Sequence, residues 1–115
     1  MRWSHYREYL EKKSAGAAYD DLEPPPLKAQ QFLIVDHVSV QDETTAYTNL
    51  RLGIKAATTF TPLLEEKTPA AGEVVWTDEE LKITEHERLC CRLTGCTSGD
   101  ILKATIQGKL YHLPE

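Results

Sequence analysis

Apolar and polar residues alternate through most of the chain, most regularly over Glu87–Leu113, ERLCCRLTGCTSGDILKATIQGKLYHL. Leu89, Cys91 and Leu93 alternate with Arg88, Cys90, Arg92 and Thr94. After Thr97-Ser98-Gly99-Asp100, Leu102, Ala104, Ile106, Gly108 and Leu110 alternate with Ile101, Lys103, Thr105, Gln107 and Lys109. A period of two is the mark of strands with one buried and one wet face. The pattern predicts two long strands joined as a hairpin around the Gly-Asp turn. An apolar sheet face needs a second layer to cover it, and the preceding residues supply candidates.

In FLIVDHVSV the pattern places Phe32, Ile34, Val38 and Val40 on one face and Leu33 and Val35 on the other. Asp36 interrupts the apolar register, which predicts a bulge or strand end. Gln41–Thr45 is a polar turn. In Ala46–Ala56, Ala46, Thr48, Leu50, Leu52 and Ile54 alternate inward, with Tyr47, Asn49, Arg51, Gly53 and Lys55 outward. Thr58–Leu64 is a further strand, and Pro62 marks it as an edge or irregular one. Residues 73–76 and 81–84 are short strands around a polar TDEE turn. Short strands at roughly 8–12-residue spacing predict an all-β antiparallel sandwich, jelly-roll-like, over 31–115. An up-and-down barrel around a ligand cavity would call for longer, more regular strands.

The first thirty residues read differently. Trp3, Tyr6 and Leu10 fall three and four apart with Tyr9 beside them, which predicts a helix over 1–13. Ser4 caps it without a capping box, and Gly16 ends it. So short a helix must pack on something. It either folds back onto the sandwich or is a docking arm for another subunit. Pro24, Pro25 and Pro26 then enforce an extended, semi-rigid spacer. The expected division is a helical arm with a Pro-rich linker over 1–30 and a sandwich over 31–115.

Charge narrows the partners. The formal net charge is -5, and residues 1–28 hold five basic and five acidic side chains, so the surplus lies on 29–115. An acidic body argues against a nucleic-acid partner, which needs a basic stripe. No apolar run has the length of a membrane-spanning helix, and the charged N-terminus has no signal-peptide core, so the expectation is a chain made and kept in a cytoplasm, without a membrane partner.

Candidate chemistry is sparse. Cys90, Cys91 and Cys96 lack the spacing of paired zinc ligands, and neighbours on a strand diverge, so they read as buried small side chains plus a spare thiol in preference to a redox or metal site. His86 between Glu85 and Glu87 points away from both on an extended segment, and His37 diverges from Asp36. Asp78, Glu79 and Glu80 read as a solvated turn, lacking a calcium loop's alternation. No nucleophile elbow, phosphate loop or dinucleotide fingerprint occurs. The expectation is no enzyme, with no catalytic, cofactor-binding or metal residues and no cofactor. Outward Tyr47, Arg51 and Tyr111 are candidate surface contacts, since aromatics and Arg are enriched at interfaces and aromatics stack on sugars. Trp76 is a further candidate contact, but its flanking Val74 and Val75 favour a place in the core.

The order of pieces over 31–113 resembles the small β-sandwich proteins of tailed-phage virions. A strand ending in VSV is followed by the turn QDETTA, the strand TNLRLGI, TFTPLLEEKTPAAGEVVW, and LKITEHERLCCRLTGCTSGDILKATIQGKLY. The likeness lies in pattern and turn chemistry, not in an invariant motif. It implies a virion protein made in the host cytoplasm: a capsid decoration or cement protein, a collar or tail accessory, or a host-attachment module. The implied partners are other virion proteins and further copies of the chain, with a glycan or receptor as the alternative ligand. Trp3, Tyr6, Tyr9 and Leu10 are the residues expected to attach it.

Overall fold

The computed structural model describes residues 2–114. Nine strands follow one another: β1 (Arg2–Lys13), β2 (Tyr19–Leu22), β3 (Gln31–Asp42), β4 (Asn49–Ala56), β5 (Thr59–Lys67), β6 (Val74–Thr77), β7 (Leu81–Ile83), β8 (Glu87–Thr94) and β9 (Ile101–His112). They form two antiparallel sheets packed together. The front sheet runs β1-β9-β3-β6, with β7 also on β3, and the back sheet runs β2-β8-β4-β5. The all-β expectation holds, and no helix occurs among the described residues.

The core is the layer between the sheets. Leu33, Val35, Val38 and Val40 of β3, with Leu102, Ala104 and Ile106 of β9, meet Leu50 and Leu52 of β4 and Leu89, Cys91 and Leu93 of β8. The alternation read for β8 and β9 places these residues correctly. The hairpin does not form. β8 lies in the back sheet and β9 in the front one, and Gly95–Asp100 carries the chain across. An alternating pattern fixes which face of a strand is buried but not which strand lies beside it.

Residues 2–13 are a strand, not a helix. β1 pairs with β9 along its whole length, from Arg2 opposite His112 to Lys13 opposite Ile101. Tyr6 and Leu10 pack against the core while Trp3, Arg7 and Tyr9 are exposed. A spacing of four suits both a helix face and every second pair of strand residues, and pairing with β9 decides between them. Tyr19–Leu22 likewise joins the back sheet against β8. The proline segment is the crossing from β2 to β3 and not a free spacer. Leu27 is buried, and its N–H donates to Glu87 while its carbonyl accepts from His86.

Two register shifts are each matched by a glycine opposite. In β3 the pairing skips Asp36, between Val35 opposite Gly108 and His37 opposite Gln107. The bulge foreseen at Asp36 therefore turns Leu33 and Val35 to the same inner face as Val38 and Val40, while Phe32 and Ile34 lie outside. A Cβ on Gly108 would come within 2.2 Å of the Ile34 carbonyl oxygen. In β5 the pairing skips Leu63, and a Cβ on Gly53 would lie 2.0 Å from the Thr61 carbonyl oxygen. β5 is an edge strand, as Pro62 foretold.

Candidate functional site

The outer face of the front sheet is the candidate interaction surface. Cross-strand register sets its rows. At one end Trp3 lies opposite Tyr111, which lies opposite Phe32. Phe32 and Tyr111 stack at 4.7 Å between ring centroids with planes 4° apart. Trp3 meets His5 edge-on at 5.3 Å, and Lys109 Nζ lies 5.1 Å from the Trp3 ring centre. Six residues along β1, about 20 Å at strand rise, Tyr9, Thr105, Ser39 and Trp76 form a second row. Between them stand His5, Lys109 and Ile34, then Arg7, Gln107 and His37. His37 Nδ1 lies 2.6 Å from Asp78 Oδ1, so the partner of His37 is Asp78 and not its neighbour Asp36. Trp76 is 61% exposed, Tyr9 71% and Trp3 49%. Trp76 is therefore surface and not core: β6 shows its outer face to solvent, and the flanking Val74 is exposed as well. Val75 and Trp76 also line a cleft with Leu50, Leu52 and Leu64, where the sheet edges part.

The structure brings some of the expected contact residues together. Trp3 and Tyr111 are cross-strand neighbours, and Tyr9 shares their face. Tyr6 and Leu10 point inward and pack on the core, and burial, followed by the Glu8 charge, pushes the Tyr6 phenol up to about 12. Tyr47 is 4% exposed, so it is a core residue and not a surface contact. It precedes β4 in a loop tied to Pro69, where the strand alternation does not apply. Arg51 lies on the other sheet, paired with Glu65 at 2.7 Å. Sequence reasoning missed Phe32 and preferred the core for Trp76. The break at Asp36 was the signal for Phe32, because a skipped residue reverses the faces on one side of it.

The back sheet carries a different arrangement. Asp21 takes two hydrogen bonds from Arg92, 2.8 Å from Nε and 3.0 Å from Nη2, and a third from Lys55 at 3.1 Å. The Arg92 guanidinium lies 3.9 Å from the Tyr19 ring centre and 4.4 Å from that of Phe60. Lys55 and Arg88 also reach Glu23. Burial pushes the Asp21 carboxyl up, but the bonds and charges of Arg92 and Lys55 outweigh it and hold it below the ordinary value. Ligand atoms of Asp21, Glu23 and Cys90 lie within 4.8 Å of one another. Both carboxylates already face cationic side chains, so the set is an ion network of the fold. The three cysteines are buried and free, and burial pushes Cys91 and Cys96 up to about 12, as protonated, unreactive thiols.

At one end of the sandwich lie the buried polar residues Ser14, Asp20, Asp42 and Asp100. Asp42 Oδ1 accepts the N–H groups of Thr44 and Thr45. Asp100 Oδ2 accepts the Thr45 hydroxyl and the Thr97 N–H. Asp42 and Asp100 are neighbouring buried carboxyls, and the charge of one opposes the charge of the other. Burial and that neighbour push Asp42 up, whereas at Asp100 burial is overcome, with the bonds from Thr45 and Thr97 helping to hold it down. This pair fastens the 43–48 and 95–100 loops. At His86, Glu85 accepts from Gln30 N–H and Glu87 from Thr84, so the flanking carboxylates are turned to separate partners.

No helix among the described residues is long and apolar enough to cross a membrane. A scan of the chain against protein-family models finds no match, and a search of curated proteins finds none either.

Proposed function

We propose that this chain is a non-catalytic structural protein of a tailed-phage particle, a capsid decoration or cement protein or a head–tail or tail accessory. It joins other virion proteins through its N-terminal strand. The observation that carries this reading is β1. It is a twelve-residue edge strand with one side unpaired, and it displays Trp3 and Tyr9 beside that open edge. An unpaired edge is a template for adding a strand from a partner, and exposed aromatics supply anchors next to it. The strand order supports the same reading. β1-β9-β3-β6 facing β2-β8-β4-β5 is the winding of a jelly roll, an architecture common in capsid proteins and lectins. That support is an analogy of fold.

The test is incorporation of the full chain into particles. Trp3→Ala with Tyr9→Ala is expected to leave a folded protein that no longer co-sediments with the particle. Full incorporation of that variant, with an unchanged circular dichroism spectrum, sinks the reading.

One observation favours a second reading, a glycan- or receptor-binding module. The Phe32–Tyr111 stack beside Trp3 offers a flat aromatic platform suited to a sugar face. Binding on a glycan array that disappears with Tyr111→Ala would support it, and a blank array would end it.

A further inference from the structure

We infer that the open edge of β1 pairs with the same edge of a second copy of this chain, antiparallel, about a two-fold axis at Tyr9. The inference rests on the reading that the N-terminal strand is the assembly element, and it names the first partner of that strand.

The edges of the molecule are unequal. β2 has four residues, β6 four and β7 three. β5 is interrupted by Pro62 and by a register shift. Short strands, prolines and bulges are the devices that keep sheet edges from recruiting neighbours. β1 has none of these three, being twelve residues long with no proline and unbroken register against β9, and its guards are charges alone, Lys12 and Lys13 among them. It is the one edge among the described strands long and regular enough to extend a sheet.

Its sequence selects the partner. When two copies pair about an axis perpendicular to the sheet, residues from the same face stand opposite one another. The axis then passes through a residue. Centred on Arg7 or Glu8, the pairing sets that charge against itself. Centred on Tyr6, it makes no opposite-charge pair. Centred on Leu10, it sets Arg7 against Lys13 and so offsets the attraction of Glu8 for Lys12, and centred on His5 it joins only residues 2–8. Centred on Tyr9, it joins residues 5–13 and puts Arg7 opposite Glu11 twice over, Tyr9 opposite Tyr9, Tyr6 opposite Lys12 and His5 opposite Lys13 at the two ends. Arg7, Tyr9 and Glu11 are exposed on the outer face of β1, where such pairs can form. Opposite charges directly across a ladder favour the register and like charges oppose it. The two front sheets would then be continuous, with the Tyr9–Thr105–Ser39–Trp76 rows end to end across the axis and the Trp3–Tyr111–Phe32 rows at opposite ends.

Light scattering on the full chain tests the inference. The expected mass is twice 13.0 kDa. Arg7→Glu and Glu11→Arg are each expected to weaken the dimer by about 10–30-fold, because two attractive pairs become two repulsive ones. Mixing the two variants restores a dimer, as does combining both substitutions in one chain. A wild type that stays at 13.0 kDa up to millimolar concentration overturns the inference. So does a dimer that neither single variant weakens. If a single variant fails to fold, the wild type decides alone: amide protection of residues 5–13 must rise with protein concentration. A monomer whose particle attachment still depends on Trp3 and Tyr9 sinks the dimer and leaves the docking reading standing.

Discussion

The two outer faces of the sandwich differ in how completely the chain satisfies them. On the back sheet, Asp21, Glu23, Lys55, Arg88 and Arg92 form ion pairs across strands, with only Arg88 Nε and Glu23 Oε2 short of a hydrogen bond, and two aromatic rings close over the guanidinium of Arg92. On the front sheet, Trp3, Tyr9 and Trp76 stand open to solvent. Both sheets bury apolar inner faces, leucine-rich in the back sheet and valine- and leucine-rich in the front, so the difference is not one of core. A face whose groups are matched within the molecule contributes to folding. A face with large unmatched aromatics beside an unpaired edge is suited to contact with something else.

Removing Arg92 should break this contrast most severely. Arg92→Ala leaves the partly buried Asp21 with only Lys55 and opens the space between Tyr19 and Phe60. A loss of about 2–4 kcal/mol is expected in urea unfolding. Gly108→Ala comes next, because its Cβ meets the Ile34 carbonyl across the bulge that sets the front face. Forced shifts of this kind cost about 1–3 kcal/mol, read as a lower midpoint with the same m-value.

The Asp42–Asp100 pair tests the end that ties both sheets. The Asp42 carboxyl is raised in the folded state, so its contribution is complete below the unfolded carboxylate value of about 4. It is lost as pH climbs through the folded value. Asp100 is held low, so its contribution runs the other way and is lost only in stronger acid. Asp42→Asn keeps an acceptor for Thr44 and Thr45 and supplies a donor toward Asp100. It should abolish the decline with rising pH and gain about 1 kcal/mol at pH 7, measured as unfolding free energy from pH 4 to 8. The smallest effect falls on the open face. Trp76→Ser should change stability by no more than about 0.5 kcal/mol. A larger loss would mean that the front face, too, is satisfied from within.

Much of the interior was legible in the sequence. Leu89, Cys91 and Leu93, and Leu102 to Ile106 at every second position, announced buried faces because burial is a one-dimensional pattern. Strand partners were not legible. β8 and β9 alternate as hairpin strands would, yet each pairs with strands remote in sequence, and no local signal encodes that choice. The first strand was misread because Tyr6 and Leu10, four apart, share a face in a helix and in a strand alike, and Trp3, three before Tyr6, was read with them although a strand turns it to the other face. The candidate surface was half visible. Tyr111 was placed outward correctly, but Phe32 was hidden by the bulge at Asp36, Trp76 by its valine neighbours, and Tyr47 by a loop that does not alternate.

The pairing of β1 with β9 carries a kinetic consequence. Trp3 and Tyr111 meet across nearly the whole chain, and contacts of such separation form slowly. During synthesis at about 5–20 residues per second, β1 must wait several seconds to about 20 seconds for β9 to emerge. Throughout that interval the aromatic strand has no mate on either side. Its safe passage then depends on chaperones, or on how soon it meets another nascent copy.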